Sequence, residues 1–446
     1  MVPLPSNARY ALIVLFAINM INFFDRTIFG AIGETIRREW GLGDAAIGAL
    51  ATAFTLLYAV VGVPFGRLSD KFARTRILAV GLFAWSFLTA ASGLARNYWQ
   101  LFAVRLGVGV GEATCAPAAN SLIGDLFPRA RRAWALSVFM LGLPIGNALA
   151  YAVGGPVTQA WGWRAAFFVA GLPGLLCVLA VLWLREPPRG TTEEHAVGTR
   201  RREGSPYLLV LSIPTMWWLI ASGALHNFNM YAIAQFLSPF LIRFHGVTVK
   251  QAGLLSTVIY GLSGIGGLLL GGLLADAAYR RRTDGRLLIG GLAITITSPF
   301  MFMALGRPAG DVLGFSLLMG IGCGVMYAYY STVYSTIQDI IEPSLRGTAM
   351  ALYFCAMYVF GASAGPVGTG LASDYFSAQA ATAAGVLEHT PKALEPFRAA
   401  GLHSAMYLIP TIFAVLALVL FAASRTVKKD VQKLQAWMRA PVSVSS

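Results

Sequence analysis

A chain of 446 residues that is 57% hydrophobic and only 12% charged is not a large soluble domain, because such domains carry roughly twice that charged fraction. Long apolar runs and a mean hydropathy of +0.65 point instead to a protein that crosses a membrane many times. The net charge of +14 raises nucleic acid as a partner, but its placement beside apolar runs sets topology and excludes that class.

Twelve candidate helices follow in order, at about 9–33, 44–68, 77–95, 98–124, 131–159, 163–184, 210–242, 250–275, 287–306, 311–338, 344–373 and 399–423. The first is too long for the apolar core of a cleaved signal peptide, so it reads as a mature span. With the N-terminus inside, Lys and Arg collect in the inner loops and tails, and Arg26 and Arg105 alone lie deep within spans. That asymmetry predicts an integral, multi-pass protein of a bacterial inner membrane with both termini cytoplasmic. The four cysteines, Cys115, Cys177, Cys323 and Cys355, fall inside apolar runs, so no disulfide framework is expected. The Ala-rich stretch 374–398 makes the longest outer loop, and the basic stretch Arg425–Arg439 is expected to lie on the inner leaflet.

One polar pattern occurs twice, at Gly66-Arg67-Leu68-Ser69-Asp70-Lys71-Phe72-Ala73-Arg74-Thr75-Arg76 and at Gly272-Leu273-Leu274-Ala275-Asp276-Ala277-Ala278-Tyr279-Arg280-Arg281-Arg282. Pro128-Arg129-Ala130-Arg131 is echoed by Pro343-Ser344-Leu345-Arg346, and Gly155-Pro156 by Gly365-Pro366, at a similar offset. A fixed offset of half the chain means a duplicated membrane domain, the architecture of secondary transporters that hold substrate between halves. The expected division is an N-terminal six-helix bundle (1–184), a charged linker (185–206), a C-terminal six-helix bundle (207–424) and a cytoplasmic tail (425–446). In each repeat an Asp closes an inward-running helix and needs a cationic partner there. Arg74 and Arg280 follow four residues later, while Gly66 and Gly272 permit close helix approach. Gly66, Asp70, Arg74, Gly272, Asp276 and Arg280 are therefore expected to form a cytoplasmic latch that stabilises an outward-open state.

Ionisable groups inside a bilayer are costly and mark function. The first half holds four at depth, Asp25, Arg26, Arg105 and Glu112, and the second half none. Helical rise places Asp25 and Arg105 both roughly 10–12 Å below the outer surface, with Glu112 about 10 Å deeper on the same face as Arg105. These depths allow Asp25 to pair with either Arg105 or Arg26. Asp25 and Glu112 are the expected proton carriers, and Arg26 and Arg105 the charge balance or the grip on an anionic headgroup. The second half offers a softer lining: Tyr327, Tyr330, Ser331 and Tyr334 share one helix face, and the seventh span carries His226, Asn227, Asn229, Tyr231 and Gln235. Asn22, His226, Asn229, Tyr231, Tyr327, Tyr330 and Tyr334 are the expected substrate-lining residues, suited to a long apolar ligand with a small polar end. Gly361-Ala362-Ser363-Ala364-Gly365 fits G-x-S-x-G only in letter, since no strand precedes it. Gly107-Val108-Gly109-Val110-Gly111 is helix packing and not a dinucleotide loop. Neither an enzyme nor a cofactor or metal is expected.

These residues carry a family likeness over nearly the whole chain. The Gly66–Arg76 signature, Arg105-x-x-x-Gly109-x-Gly111 and the glycines of span five resemble the major facilitator superfamily, which implies an all-α membrane fold of twelve helices in two pseudo-symmetric six-helix bundles. Asn22-x-x-Asp25-Arg26, Gly111-Glu112-Ala113, Ile123-Gly124-Asp125-Leu126-Phe127, Gly162-Trp163-Arg164 and Arg185-Glu186-Pro187-Pro188-Arg189-Gly190 look like the spinster family of lipid transporters. That resemblance implies proton-coupled, alternating-access movement of lysophospholipids or sphingoid-base phosphates by a single chain, with Asp25, Arg26, Arg105 and Glu112 in coupling and headgroup binding. Thr114-Cys115-Ala116 departs from the aromatic and hydroxyl residues frequent there. The Asn-x-x-Asp-Arg stretch is also similar to anion:cation symporters, so a proton-coupled symporter of small organic anions is the alternative. A membrane enzyme or passive scramblase is a third reading, without a catalytic cluster to support it.

Overall fold

The computed structural model describes residues 8–127, 129–188, 205–342 and 345–439; the side chains of 63, 66, 67, 69–71 and 129–134 lie outside the description. The echo of Pro128–Arg131 in Pro343-Ser344, and linker residues 189–204, therefore fall largely outside it. Among the described residues every regular element is helical. The first half contains α1 (Ala8–Trp40), α2 (Asp44–Lys71), α3 (Arg74–Ser92), α4 (Tyr98–Glu112), α5 (Cys115–Leu126), α6 (Arg129–Met140) and α7 (Gly142–Leu182). After the linker come α8 (Pro206–Leu211), α9 (Pro214–Phe244), α10 (Val249–Ser256), α11 (Ser263–Tyr279), α12 (Gly285–Leu305), α13 (Val312–Met326) and α14 (Ala328–Ile340). The chain finishes with α15 (Arg346–Ala356), α16 (Ala364–Ala383), α17 (Pro391–Leu394), α18 (Arg398–Met406) and α19 (Leu408–Arg439).

Nine described helical stretches are long and apolar enough to cross a membrane. One of them, Ala135–Leu182, breaks at Gly162, whose φ of 81° only glycine adopts freely, so it makes two crossings. Residues 98–126, with Arg105 and Glu112, and α9, with its amides and histidine, are helical at the fourth and seventh positions of the sequence reading, consistent with its twelve spans. α1 continues to Trp40, past the expected end near residue 33. Glu34 pairs with Arg37 and Arg38 one turn on, and Gly41 at φ 62° lets the Leu42 amide donate to the Arg37 carbonyl, a Schellman cap.

Irregularities repeat between the halves. The fourth span breaks after Glu112 and the tenth at Tyr327. π-helical turns interrupt the eighth and eleventh spans at Thr257–Leu262 and Met357–Ala362, a feature that often marks functional segments.

Contacts gather the chain into two compact units. Unit 1 comprises Met1–His195, Ala232–Leu262 and Gly365–Ala405; unit 2 comprises Ala196–Tyr231, Ser263–Ala364 and Met406–Ser446. Inside unit 1 an apolar core includes Leu15, Ile18, Phe54, Leu82, Trp85 and Val108. Glycine then brings the first-half helices against the second-half segments backbone to backbone. A Cβ on Gly30 would stand 2.0 Å from the Ala234 carbonyl oxygen, and one on Gly48 2.3 Å from that of Pro366. Small residues are the standard means of such approach in lipid, where burial of apolar surface supplies no net drive. In unit 2, Ile294, Phe315, Met319, Val333, Ile337 and Phe413 are buried. Exposed Val80, Phe83 and Phe87 on α3, and Leu269, Leu270 and Leu273 on α11, are faces suited to lipid.

The end of α19 differs from expectation. Val427, Val431 and Leu434 are buried, and Asp430 accepts hydrogen bonds from the Thr215 amide (3.0 Å) and hydroxyl (2.5 Å). The stripe that reads as surface-lying is packed instead: Leu434 shares a small cavity with Val210, Ile213, Ile340 and Leu345.

Candidate functional site

The four deep charges assemble in unit 1. Arg26 Nε donates to Glu112 Oε2 at 2.7 Å, and the two side chains are 5% and 0% exposed. The guanidinium lies over the Tyr58 ring at 4.0 Å, with Phe23 and Phe54 at 5.2 and 5.7 Å. Arg105 sits over Phe54 and Phe29 and reaches only the main-chain oxygen of Asp25, at 3.4 Å. The Asp25 carboxylate is fully buried; Thr89 reaches its Oδ2 at 3.5 Å, and Oδ1 has no hydrogen-bond partner among the described residues. Thus the ion pair that forms is Arg26–Glu112 rather than one involving the Asp25 carboxylate. Asn22 is buried beside this group on α1, its side chain close to Glu112. Two carboxylates and two guanidiniums balance in charge, and the aromatic faces stabilise the cations electrostatically.

The repeated loops meet expectation only in part. The Asp70 side chain and the packing around Gly66 lie outside the description. Arg74 is buried and binds Asp125, Glu186 at 2.8 Å, Ser121 Oγ at 2.9 Å and the Pro187 carbonyl at 2.9 Å. Glu186 also accepts from the Arg74 and Thr75 amides, capping the positive end of α3. In unit 2 the equivalent cation is Arg286, at the start of α12, which binds Asp276 at 2.9 Å and Asp339. Arg280, expected to answer Asp276, is exposed and makes no described ion pair. Gly272 is not a close-packing glycine either: a Cβ there would meet only Ser331 atoms beyond 3.6 Å, whereas Gly267 and Gly271 abut Gly324 and Ala328. The repeat unit is therefore an Arg at the head of the third or ninth span bound to an Asp at the foot of the fourth or tenth.

Glu186 makes this joint pH-sensitive. Burial raises its pKa, but the Thr75 amide and the Arg74 guanidinium outweigh that and hold it below the ordinary glutamate value. A carboxyl depressed on folding contributes stability above its unfolded pKa and loses it as pH falls through the folded one. Melting temperature followed from pH 7 downward is expected to fall more steeply below about pH 4 in the wild type than in Glu186→Gln; parallel curves would refute the joint.

A third cluster, not foreseen, lies at the opposite ends of these helices within unit 1. Arg243 of α9 clamps Asp44 with two bonds of 2.7 Å and holds Glu34 at 2.5–2.7 Å. Ser373 donates to Asp44 at 2.6 Å, and Asp374 caps α2 through the Asp44 and Ala45 amides, both at 2.9 Å. Arg398 binds Asp374, and Arg37 joins Glu34 to Glu395 at 2.6 Å. Asp44, Glu34, Arg37 and Arg398 are all buried. The cluster ties α1 and α2 of the first half to α9, α16 and the loop after it.

In unit 2 the aromatic lining centres on His226, stacked on Tyr329 at 3.9 Å and edge-on to Tyr330 at 4.9 Å. Tyr330 and Tyr334 stand 5.5 Å apart, Tyr327 lies 6.0 Å from Tyr330, and Tyr231 meets Tyr358 at 6.3 Å. Ser222, Tyr329 and Tyr353 form a hydroxyl chain with 2.8 Å links. Sequence reasoning missed Tyr329, which lies off the i, i+3, i+4, i+7 face counted from Tyr327, and Tyr353, which lies on another helix, α15.

The Major Facilitator Superfamily profile matches residues 15–366. Protein spinster homolog 1 of Bos taurus is 30% identical over 401 residues, covering 83% of this chain and 74% of that protein. An MFS-type efflux pump of Mycolicibacterium smegmatis (strain ATCC 700084 / mc(2)155) is 28% identical over 372 residues, covering 83% and 85%. The crystal structure of a bacterial homologue of the human lysosomal transporter Spinster, inward-facing and unoccupied, aligns with a TM-score of 0.82 at 27% identity, covering 96% of this chain and 98% of that one. The chain belongs to the Major Facilitator Superfamily, in its spinster-like family, and is a multi-pass membrane transporter.

Proposed function

We propose that this protein is a proton-coupled secondary transporter of an amphiphilic, anionic lipid-like molecule of the lysophospholipid or sphingoid-base phosphate class. The observation that carries the reading is the Arg26–Glu112 pair under its aromatic collar, next to a buried Asp25 whose Oδ1 accepts no hydrogen bond among the described residues. A guanidinium held by one carboxylate and by ring faces can exchange that carboxylate for a phosphate when Glu112 takes up a proton. Asp25 and Glu112 then carry protons, while Arg26 and Arg105 balance charge and grip the headgroup. Within unit 2, the tyrosines of α14 and Asn229 of α9 are assigned the separate role of an uncharged, aromatic substrate-lining surface.

Alternating access needs one side sealed while the other opens. In this reading the halves 1–184 and 207–424 rock as six-helix bundles within a single chain. The Arg243–Asp44–Glu34 cluster is the outer seal, and the Arg74 and Arg286 joints stiffen the inner ends. The named gating residues Gly66, Asp70, Arg74, Gly272, Asp276 and Arg280 then contribute through Arg74 and Asp276. The likeness to a bacterial spinster homologue supports the transporter assignment, and the clustered charges support its coupling.

Reconstitution in liposomes tests the reading, with uptake of a lysophospholipid, an organic acid and a neutral lipid probe compared with and without an imposed pH gradient. Gradient-driven uptake of the lysolipid is the expected outcome. A response confined to the organic acid would replace lipid by small anion, and gradient-independent movement of the neutral probe would indicate a scramblase.

A further inference from the structure

Two side chains one turn apart on α9 are buried without the hydrogen bonds that burial demands. His226 and Asn229 are both 0% exposed. Among the described residues, neither ring nitrogen of His226 and neither amide atom of Asn229 has a hydrogen-bond partner. Roughly nine in ten buried polar atoms in folded proteins are paired, and each orphan costs about 1–3 kcal/mol. Four orphans on one helix face therefore need a reason.

The deficit is local. Asn227, between them, donates to the Gly223 carbonyl at 3.1 Å, and the Ser222–Tyr329–Tyr353 hydroxyls satisfy one another. The imidazole is also held in place, stacked at 12° on Tyr329 with Tyr330 and Phe413 edge-on. Tyr330 and Tyr334 are only half-buried, so His226 lies one ring beneath an accessible surface.

We infer that His226 and Asn229 form an uncharged ligand subsite in unit 2 that takes a hydroxyl group of the transported molecule. A neutral imidazole offers one donor and one acceptor, and a carboxamide offers both kinds. Their natural complement is a group that both donates and accepts, as a hydroxyl does. The rings around His226 are aromatic, with no cation among them, so a phosphate or carboxylate would be desolvated there without a counter-charge. The inference rests on the lysolipid reading and deepens it, assigning the free glycerol hydroxyl to these two residues.

The test uses two probes in proteoliposomes: an acyl lysophosphatidic acid with a free 2-hydroxyl, and its 2-deoxy counterpart. Wild-type protein is expected to favour the hydroxyl probe about tenfold in KM, the worth of one good hydrogen bond. In His226→Phe and in Asn229→Leu that preference falls toward unity. The ligand-free melting temperature of each variant stays level or rises, because an orphaned polar group has been replaced by an apolar one. A preference unchanged in both variants overturns the subsite. So does a fall of several degrees in melting temperature, which would make the two residues structural hydrogen-bonders. If the wild type moves neither probe, the lysolipid reading fails, and the ligand-free melting comparison alone decides the subsite: a level or higher value sustains it, a fall removes it.

Discussion

Arg243→Gln is expected to lower transport at least a hundredfold and to reduce the melting temperature by several degrees. Arg243 is 4% exposed and is the common partner of two carboxylates that are themselves 2% and 0% exposed. Glutamine leaves Glu34 and Asp44 facing each other without the charge they share. The cations nearby are already engaged, Arg37 with Glu34 and Glu395, and Arg398 with Asp374. Removing one member of a buried ion pair costs about 3–5 kcal/mol, a factor on the order of 10² to 10³ in any equilibrium that needs the cluster closed. Arg243→Lys keeps the charge but cannot fork across two carboxylates, so it should fall between wild type and glutamine. A triple variant, Arg243→Met with Glu34→Gln and Asp44→Asn, removes every stranded charge; stability should return while transport stays low. Transport restored along with stability would show that the cluster is a strut and not a seal.

That cluster was invisible in the sequence for a physical reason. Glu34, Asp44, Arg243 and Asp374 stand near the ends of apolar runs, where charges are ordinary and interrupt no hydropathy pattern. Asp25, Arg26, Arg105 and Glu112 were legible because they interrupt apolar runs, where each needs a reason. Depth from helical rise placed Asp25 and Arg105 level with each other, but depth does not fix side-chain direction. Arg26 turns toward Glu112, and Arg105 stops at the Asp25 main chain. The D-x-x-x-R echo found a true repeat and named the wrong arginine in its second copy. Asp276 closes α11, and the cation that meets it begins α12, at Arg286 rather than Arg280. The class of fold and the number of crossings depend on composition and charge sidedness, which single sequences display. The pairings depend on rotamers and helix breaks, which they do not.

Glu112→Gln is expected to reduce pH-gradient-driven uptake by about a hundredfold, and Arg26→Gln by a similar factor, because each strands the other group at 5% exposure or less. The two losses differ in kind. Without Glu112, Arg26 keeps the Tyr58, Phe23 and Phe54 faces, so it should still attract an anionic headgroup and bind substrate without proton linkage. Without Arg26, the carboxylate of Glu112 has no hydrogen-bond donor at 2.7 Å to hold it, and headgroup affinity should fall as well. Binding measured at two pH values separates these cases: affinity independent of pH in Glu112→Gln, and weakened at both in Arg26→Gln. The double variant, neutral at both positions, should regain much of the lost melting temperature, since coupled neighbours do not add. If it regained gradient-driven uptake too, the pair would only tie the first helix to the fourth. If uptake stays absent while stability recovers, proton exchange at Glu112 is part of the cycle, and the aromatic collar serves to keep a guanidinium ready when its carboxylate lets go.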